Sequence, residues 1–499
     1  MSGQVKTLAE LGLTARSGRE AQITGLAVDN RLVKSGFLFA AMPGTQVHGA
    51  HFVAGALESG AVAILTDPAG AEIAADALRG SDAALIVAQD PRQALAGTAA
   101  LWFGAQPECM IAVTGTNGKT SVSTFARHIW EELGIPAVNL GTTGIEGAYN
   151  APLAHTTPEP ITLHRALRAC VDAGVTHAAM EASSHGLAQR RLDGVVLAAA
   201  GFTNFTQDHL DYHATFDEYF NAKAGLFARV LPETGTAVIN IDDAKAADIV
   251  SIASDRGQSL ITVGRQDGAD LRLTAQRFDA TGQEIRFEYE GRAHMARLPL
   301  IGGFQAENVL LAAALVIGAG EPADRVFETL PYLGTVRGRM QLAATRANGA
   351  AVFVDYAHTP DAVATAIQAL RPHVMGRLVA IIGAGGDRDR TKRPLMGQAA
   401  AEHADMVIVT DDNPRSEDPA EIRHAVMMGV VQGGMDNGQD IGDRAKAILM
   451  GVDALGAGDA LLICGKGHES GQIVGDDVLP FDDVEQASVA VAALDGRLA

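Results

Sequence analysis

Short apolar runs recur along this chain, each a few residues long and each broken by a charged or glycine-bearing turn. The first three, at 37–41, 61–65 and 84–88, alternate with Ala-rich stretches and predict a small N-terminal α/β domain over residues 1–106. Pro107 and Glu108 precede the next run and mark the boundary. The run at 110–114 predicts a strand, followed by a glycine-rich turn and a helical pattern to Leu133, where Gly134 and Pro136 stop it. Strands are expected at 178–180, 195–199 and 237–241. The stretch 271–300 alternates in period two around Thr281-Gly282 and predicts a β-hairpin. These elements make a central domain over 107–332. From 333 to 499, four buried-strand runs (351–354, 378–382, 406–409 and 460–463) are each followed by a polar or glycine-rich motif and a helical segment. Repeated strand–loop–helix units predict a C-terminal Rossmann-like, doubly wound parallel sheet. Ligands of such sheets bind beyond the carboxyl ends of the strands, so the four motifs are expected on one edge.

Length and composition narrow the class. A chain of 499 residues exceeds what one core usually holds, in keeping with three domains. The formal charge of −20 excludes a broad nucleic-acid surface, which would need basic groups to replace phosphate counterions. Cys109, Cys170 and Cys464 are sparse and show no metal-ligand spacing, as expected of a cytoplasmic protein without disulfides. No basic segment followed by an apolar run opens the chain, and the longest apolar run, 309–317, is too short to span a bilayer. Neither secretion nor membrane insertion is expected, and the chain is expected to act as a monomer.

Gly115-Thr116-Asn117-Gly118-Lys119-Thr120 follows a strand and opens a helix. Backbone N–H groups at a helix N-terminus attract anions, and a lysine there supplies charge for terminal phosphates. The turn therefore reads as an ATP-phosphate loop on a central P-loop ATPase domain with a mostly parallel sheet. Thr120 or Ser121 offers a hydroxyl to Mg²⁺, although Val113 stands at the first glycine position of the general pattern. Glu181 ends an apolar strand on the same expected edge, where a carboxylate suits a hard cation. His209 follows Thr203-Asn204 at another strand end. Lys223, beside Phe220 and Leu226 on a helix, reads from pattern alone as a surface lysine.

These motifs, with His155-Thr156-Thr157-Pro158, Glu181-Ala182-Ser183-Ser184-His185-Gly186-Leu187, Asp208-His209, Ala222-Lys223, Gly338-Arg339-Met340 and Asp355-Tyr356-Ala357-His358, resemble the Mur ligases over nearly the whole chain. Folylpolyglutamate synthetases are more distant relatives. The resemblance implies an ATP-dependent, Mg²⁺-requiring ligase of peptidoglycan precursors. It implies that Lys119, Glu181, His209 and Lys223 are catalytic, with Lys223 carbamylated so that it joins Thr120, Glu181 and His209 around metal. Asp355 would hold the ATP ribose, helped by Asn308 and Arg339. The turn at Val28-Asp29-Asn30-Arg31 and the loop with Thr45, Gln46 and Val47 would contact a UDP-sugar. His155, Thr156, Thr157, Ser183, Gln189 and Arg191 would reach the muramoyl-peptide end.

Arg388, Asp412-Asn413-Pro414-Arg415, Gly465 and Glu469 follow the C-terminal strands. They offer arginines for a carboxylate and a glutamate for an ammonium. The D-N-P-R quartet resembles the branch that adds meso-diaminopimelate. Lysine as the added amino acid stays open, as does a non-catalytic UDP-sugar sensor. A P-loop motor or transporter subunit would carry a further signature that is not seen. Arg337, Gln341, Gln305 and Ala384 depart from the family pattern, and none of them removes a charged group assigned above.

Overall fold

The computed structural model describes residues 4–44, 47–206, 215–279 and 281–497. The chain forms two compact units, Met1–Asp270 with Leu311–Val326, and Leu271–Leu310 with Phe327–Ala499.

The first unit holds two sheets. The smaller is parallel, in the order Gly25–Ala27, Phe37–Ala40, Ala63–Thr66, Ala84–Val87. Side chains alternate between its faces, so Leu38 and Leu65 join one core cluster with Leu95 and Trp102, while Phe39 and Ile64 join another with Val53. Asp67 and Asp90 cap the helices Pro68–Ile73 and Pro91–Phe103, each with proline in the first turn, where its missing N–H costs nothing.

The larger sheet contributes seven strands to this unit, ordered Ser259–Gly264, Thr236–Asn240, Ala199–Phe202, Cys109–Thr114, His177–Glu181, Ala137–Gly141, Gly144–Gly147. All pair in parallel except the last. The strand expected at 195–199 lies further on, at Ala199–Phe202. Val195 and Leu197 are buried, but from the loop before the ladder. The paired segment is built of small residues instead: a Cβ on Gly201 would stand 2.9 Å from Leu315.

In the second unit the expected hairpin is two-thirds of a meander, Leu271–Asp279, Gly282–Tyr289 and Arg292–Leu298. The additional turn carries positive φ at Glu290 (50°) and Gly291 (72°), the geometry a two-residue hairpin turn demands. Glutamate is a rare first residue for it, and so the turn gave no sequence signal. The C-terminal sheet runs Gln341–Thr345, Ala351–Asp355, Ala460–Cys464, Leu378–Ile382, Met406–Val409, Gln439–Asp440, parallel except for the first strand. The four expected strands form its centre, and their carboxyl ends share one edge. Two additions were not expected, the edge strand Gln341–Thr345 and the hairpin Gly471–Val474 with Asp477–Pro480. No helix among the described residues is long and apolar enough to cross a membrane.

Candidate active site

Gly115 leaves its strand at φ 145°, and a Cβ there would lie 1.9 Å from Thr203 Oγ1, so only glycine fits. Gly118, at φ 87°, opens the helix Lys119–Glu132. The loop between them is tied to the end of the neighbouring strand. Asn117 N donates to Asn204 Oδ1 (2.9 Å), Thr203 Oγ1 donates to Asn117 O (2.6 Å), and Thr116 N donates to Asn204 O (2.8 Å). Sequence reasoning noted Thr203-Asn204 only as a strand end, not as the brace of the loop. Ser121 is buried in the first helical turn.

Lys119 Nζ donates to Gly115 O at 2.9 Å and Thr116 O at 2.8 Å. Lys223 is not a surface lysine as pattern alone suggested. It is 1% exposed, sits over the Tyr219 ring at 4.5 Å and donates to Gly115 O at 2.6 Å. The helix Phe216–Gly225 turns this face inward, with Tyr219, Phe220 and Ala224 in the core.

Glu181, 1% exposed, joins the phosphate loop to the segment expected to meet the muramoyl peptide. Its Oε2 accepts from Thr120 Oγ1 (3.0 Å) and Thr142 Oγ1 (3.2 Å), its Oε1 accepts from Thr142 N (2.8 Å), and Thr142 Oγ1 lies 3.1 Å from Thr156 Oγ1. Thr157 Oγ1 donates to Glu181 O and accepts from Ser183 N, and Ser183 Oγ accepts from Gly186 N. Arg191 reaches Thr157 O at 2.5 Å and Gln189 Oε1 at 2.8 Å. His155 is exposed beside this group in sequence. Seven of the expected residues, Thr120, Glu181, Thr156, Thr157, Ser183, Gln189 and Arg191, thus belong to one hydrogen-bonded assembly. Thr142 was missed, because a threonine after a strand carries no signal of its own.

Val28, Asn30 and Val47 lie at the carboxyl edge of the small parallel sheet, where Asp29 accepts from Arg31 N and fixes the turn Asn30–Leu32. His48 Nδ1 accepts from Ala50 N, so its Nε2 carries the proton toward Asp67 Oδ1 at 3.1 Å. Arg190 pairs with Asp90 at 2.9 Å and so ties the small sheet's domain to the central one. Thr45, Gln46 and His209 lie outside the described residues. Among the described residues no group of three or more His, Cys, Asp and Glu is placed to hold a metal ion.

In the second unit Asp355 ends its strand and accepts from Met340 N (2.7 Å) and Ala357 N (2.8 Å). Burial pushes its carboxyl above the usual range, opposed by the nearby Arg339 guanidinium and these two amides. Arg339 stacks over Tyr356 at 4.7 Å. Two departures from the family pattern are absorbed locally: Gln341 Oε1 accepts from Gly338 N (2.7 Å), and Gln305 Oε1 accepts from Asn308 Nδ2 (3.1 Å). Thr359 caps the next helix and Pro360 starts it, as expected.

The D-N-P-R loop is clasped by the unexpected hairpin. Gln472 Nε2 donates to Asp412 O (2.7 Å), Ile473 N donates to Asn413 Oδ1 (2.9 Å), Arg415 N donates to Ile473 O (3.0 Å) and Gly475 N donates to Arg415 O (2.8 Å). This fixes Arg415 at φ 52°, with Nη1 donating to Gly386 O at 2.8 Å. Pro414 O sits where a Cβ on Gly386 would fall, 1.9 Å away. Asn413 Nδ2 donates to Glu469 Oε2 at 2.9 Å, and Gly465, at φ 115°, lets the next loop approach Asp412. Arg388 is exposed on the adjoining loop. That loop is held by Glu417, whose carboxyl Arg393 keeps down at about 2, with help from Asp387 N.

Known proteins match this chain along most of its length. Residues 22–102 match the Mur ligase catalytic-domain family, 113–316 the Mur ligase middle domain, and 338–467 the Mur ligase glutamate ligase domain. A relative from Bradyrhizobium diazoefficiens named UDP-N-acetylmuramoyl-L-alanyl-D-glutamate–2,6-diaminopimelate ligase is 48% identical, covering 95% of both chains. One of the same name from Caulobacter vibrioides is 46% identical over 95% of this chain and 96% of its own. A solved structure of a ligase with that name matches at TM-score 0.72 and 33% identity, covering 98% of this chain and 99% of the other. MurF ligase from Thermotoga maritima in complex with ADP, at 17% identity and TM-score 0.60, shares the fold over 94% of this chain and 97% of its own.

Proposed function

Because this chain belongs to the Mur ligase family, we propose that it uses ATP to join meso-2,6-diaminopimelate to UDP-N-acetylmuramoyl-L-alanyl-D-glutamate, as a cytoplasmic monomer in peptidoglycan synthesis. The observation that carries the substrate choice is the D-N-P-R loop, with Arg415 and Asn413 held as donors beside the Glu469 carboxylate. An arginine and an amide suit a carboxylate and a glutamate suits an ammonium, which together describe the distal head of diaminopimelate. The relatives that bear this activity in their names are 44–48% identical to the chain.

The reaction begins with the substrate's D-glutamate carboxylate attacking the ATP γ-phosphorus, which releases ADP and leaves an acyl phosphate. The amine of diaminopimelate then attacks the acyl carbon, loses a proton, and expels phosphate as the amide forms. The loop amides and Lys119 hold the phosphates, a role of positioning and charge balance. Thr156, Thr157, Ser183 and Arg191 orient the muramoyl peptide, Val28, Asn30 and Val47 the UDP end, and Asp355, Asn308 and Arg339 the nucleoside. The hydroxyl of Thr120 and the carboxylate of Glu181, 3.0 Å apart, are hard oxygen donors of the kind Mg²⁺ takes. When bound, the cation would neutralise phosphate charge. A carbamate on Lys223, formed when Nζ adds CO₂ and releases a proton, would place a further oxygen donor beside the loop.

Phosphate release measured with ATP, UDP-muramoyl-dipeptide and one amino acid at a time tests the reading. Release with diaminopimelate and not with L-lysine is expected. Release with lysine alone would overturn the substrate, and binding of the UDP-sugar without any turnover would overturn the enzyme.

A further inference from the structure

Lys466 is a fully buried cation that the proposed reaction does not use. It follows the strand Ala460–Cys464, flanked by Gly465 and Gly467, both at positive φ. Its Nζ lies 3.1 Å from Asn413 Oδ1 and 3.4 Å from Glu469 Oε2. Asn413 Nδ2 donates to the same Glu469 oxygen, and Ile473 N donates to Asn413 Oδ1.

An asparagine carboxamide has nearly the same shape either way round, so its partners decide its direction. The Lys466 ammonium and the Ile473 N–H can only donate, and an ionised Glu469 can only accept. Turning the amide over would set donor against donor twice and acceptor against acceptor once. Both lone pairs of Oδ1 are occupied, so the group that Asn413 presents to a ligand is the second N–H of Nδ2. A buried ammonium in turn needs a charged or strongly polar partner. Glu469, about one-third exposed, meets that need while still facing outward.

We infer that Lys466 is a specificity-determining positioning residue of the amino-acid site: it locks Asn413 as a donor toward a substrate carboxylate and holds Glu469 in place for a substrate ammonium. The site so arranged selects a zwitterionic head over one lacking either charge. This inference rests on the proposed assignment of Asn413, Arg415 and Glu469 to diaminopimelate.

The test compares Lys466→Met, Asn413→Ala and the double variant in the full chain, with meso-diaminopimelate varied at saturating ATP and UDP-muramoyl-dipeptide. Lys466→Met is expected to raise KM for diaminopimelate roughly tenfold, the scale of losing one charge-assisted hydrogen bond, with a much smaller fall in kcat and no change in KM for ATP. The double variant is expected to be little worse than Asn413→Ala, because Lys466 acts through that side chain. Should Lys466→Met not fold, Lys466→Leu, which likewise removes both donor and charge, is read in the same way. A raised KM in Asn413→Ala with none in the lysine variant overturns the inference and leaves the function standing. Fully additive effects, or a loss confined to kcat, also overturn it. An unchanged KM in both single variants overturns the assignment of the site itself.

Discussion

Lys119 and Lys223 donate to the same oxygen, the carbonyl of Gly115, at 2.9 and 2.6 Å. One comes from the helix that the loop opens and the other from a helix a hundred residues further on, so the turn is gripped by two amines at its first glycine. The helix Phe216–Gly225 thus brings a buried amine onto the phosphate loop itself.

The carbamate proposed on Lys223 would stand beside the loop from this position. Lys223→Ala is expected to lower the rate of phosphate release by roughly 100-fold or more, on the scale of losing a charge-stabilising group. Lys223→Glu, which restores a carboxylate at shorter reach, should recover part of it. Isotope-labelled bicarbonate should give a carbamate carbon signal in the native chain and none in Lys223→Ala. Full activity of Lys223→Ala would rule out the role.

Gly141 is expected to be as intolerant as any catalytic side chain. A Cβ there would lie 2.0 Å from Glu181 Oε1 and 2.5 Å from its Cδ, so alanine must push the carboxylate off Thr142 and Thr120. Gly141→Ala should keep its circular dichroism and lose roughly 100-fold in kcat, close to the loss in Glu181→Gln. Activity within about threefold of the native rate would mean that Glu181 does not act where it now sits.

Arg444 and Asp483 form a buried, two-pronged ion pair at 2.7 Å, behind the loops that carry Asp411-Asp412 and Gly465. Arg444 also donates to Cys464 O at 3.0 Å and Asp411 O at 3.3 Å, so it braces both strand ends. Burial opposes its charge, but Asp483 outweighs burial and raises its pKa above the usual arginine value. Asp483→Ala would strand that charge and is expected to cost about 3–5 kcal/mol, read as a lower urea midpoint. The double variant Arg444→Met, Asp483→Leu should be the more stable of the two. A single variant costing less than about 1 kcal/mol would refute the brace.

What could be read from sequence depended on whether a residue's meaning was local. The four C-terminal strands were legible because unbroken apolar runs ending in polar motifs have few other uses, and Gly115 to Thr120 because strand, glycines and lysine are contiguous. Lys223 was misread from pattern because its burial is set by Gly115, distant in sequence. The hairpin at Gly471–Val474 and Asp477–Pro480 escaped notice because its strands are short and largely exposed and gain their order from the D-N-P-R loop. Thr142 and Arg444 were invisible for the same reason, and Lys466 showed only as part of a glycine-flanked motif: each acts through a partner distant in sequence.

Acid should destabilise the protein through histidines that the fold holds neutral. His164, on the helix Pro160–Asp172, is 2% exposed, and its Nε2 has no hydrogen-bond partner. Burial alone lowers its pKa from 6.5 to about 4. Burial likewise brings His128 and His468 to about 4, assisted by Arg127 in the first and by Arg339 and Arg337 in the second. The unfolded chain therefore takes up protons below pH 6.5 that the folded chain refuses until about pH 4. The stability these groups contribute is complete above pH 6.5 and is lost as pH falls through that window, on the order of 3 kcal/mol for His164 by its end. Urea midpoints of the native chain should fall from pH 7 to pH 4.5, and His164→Leu should flatten the fall. Parallel curves for the two proteins would mean that His164 finds a proton acceptor in the folded state, and that Gly194, whose Cβ position lies 2.7 Å from its Nε2, does not wall it off.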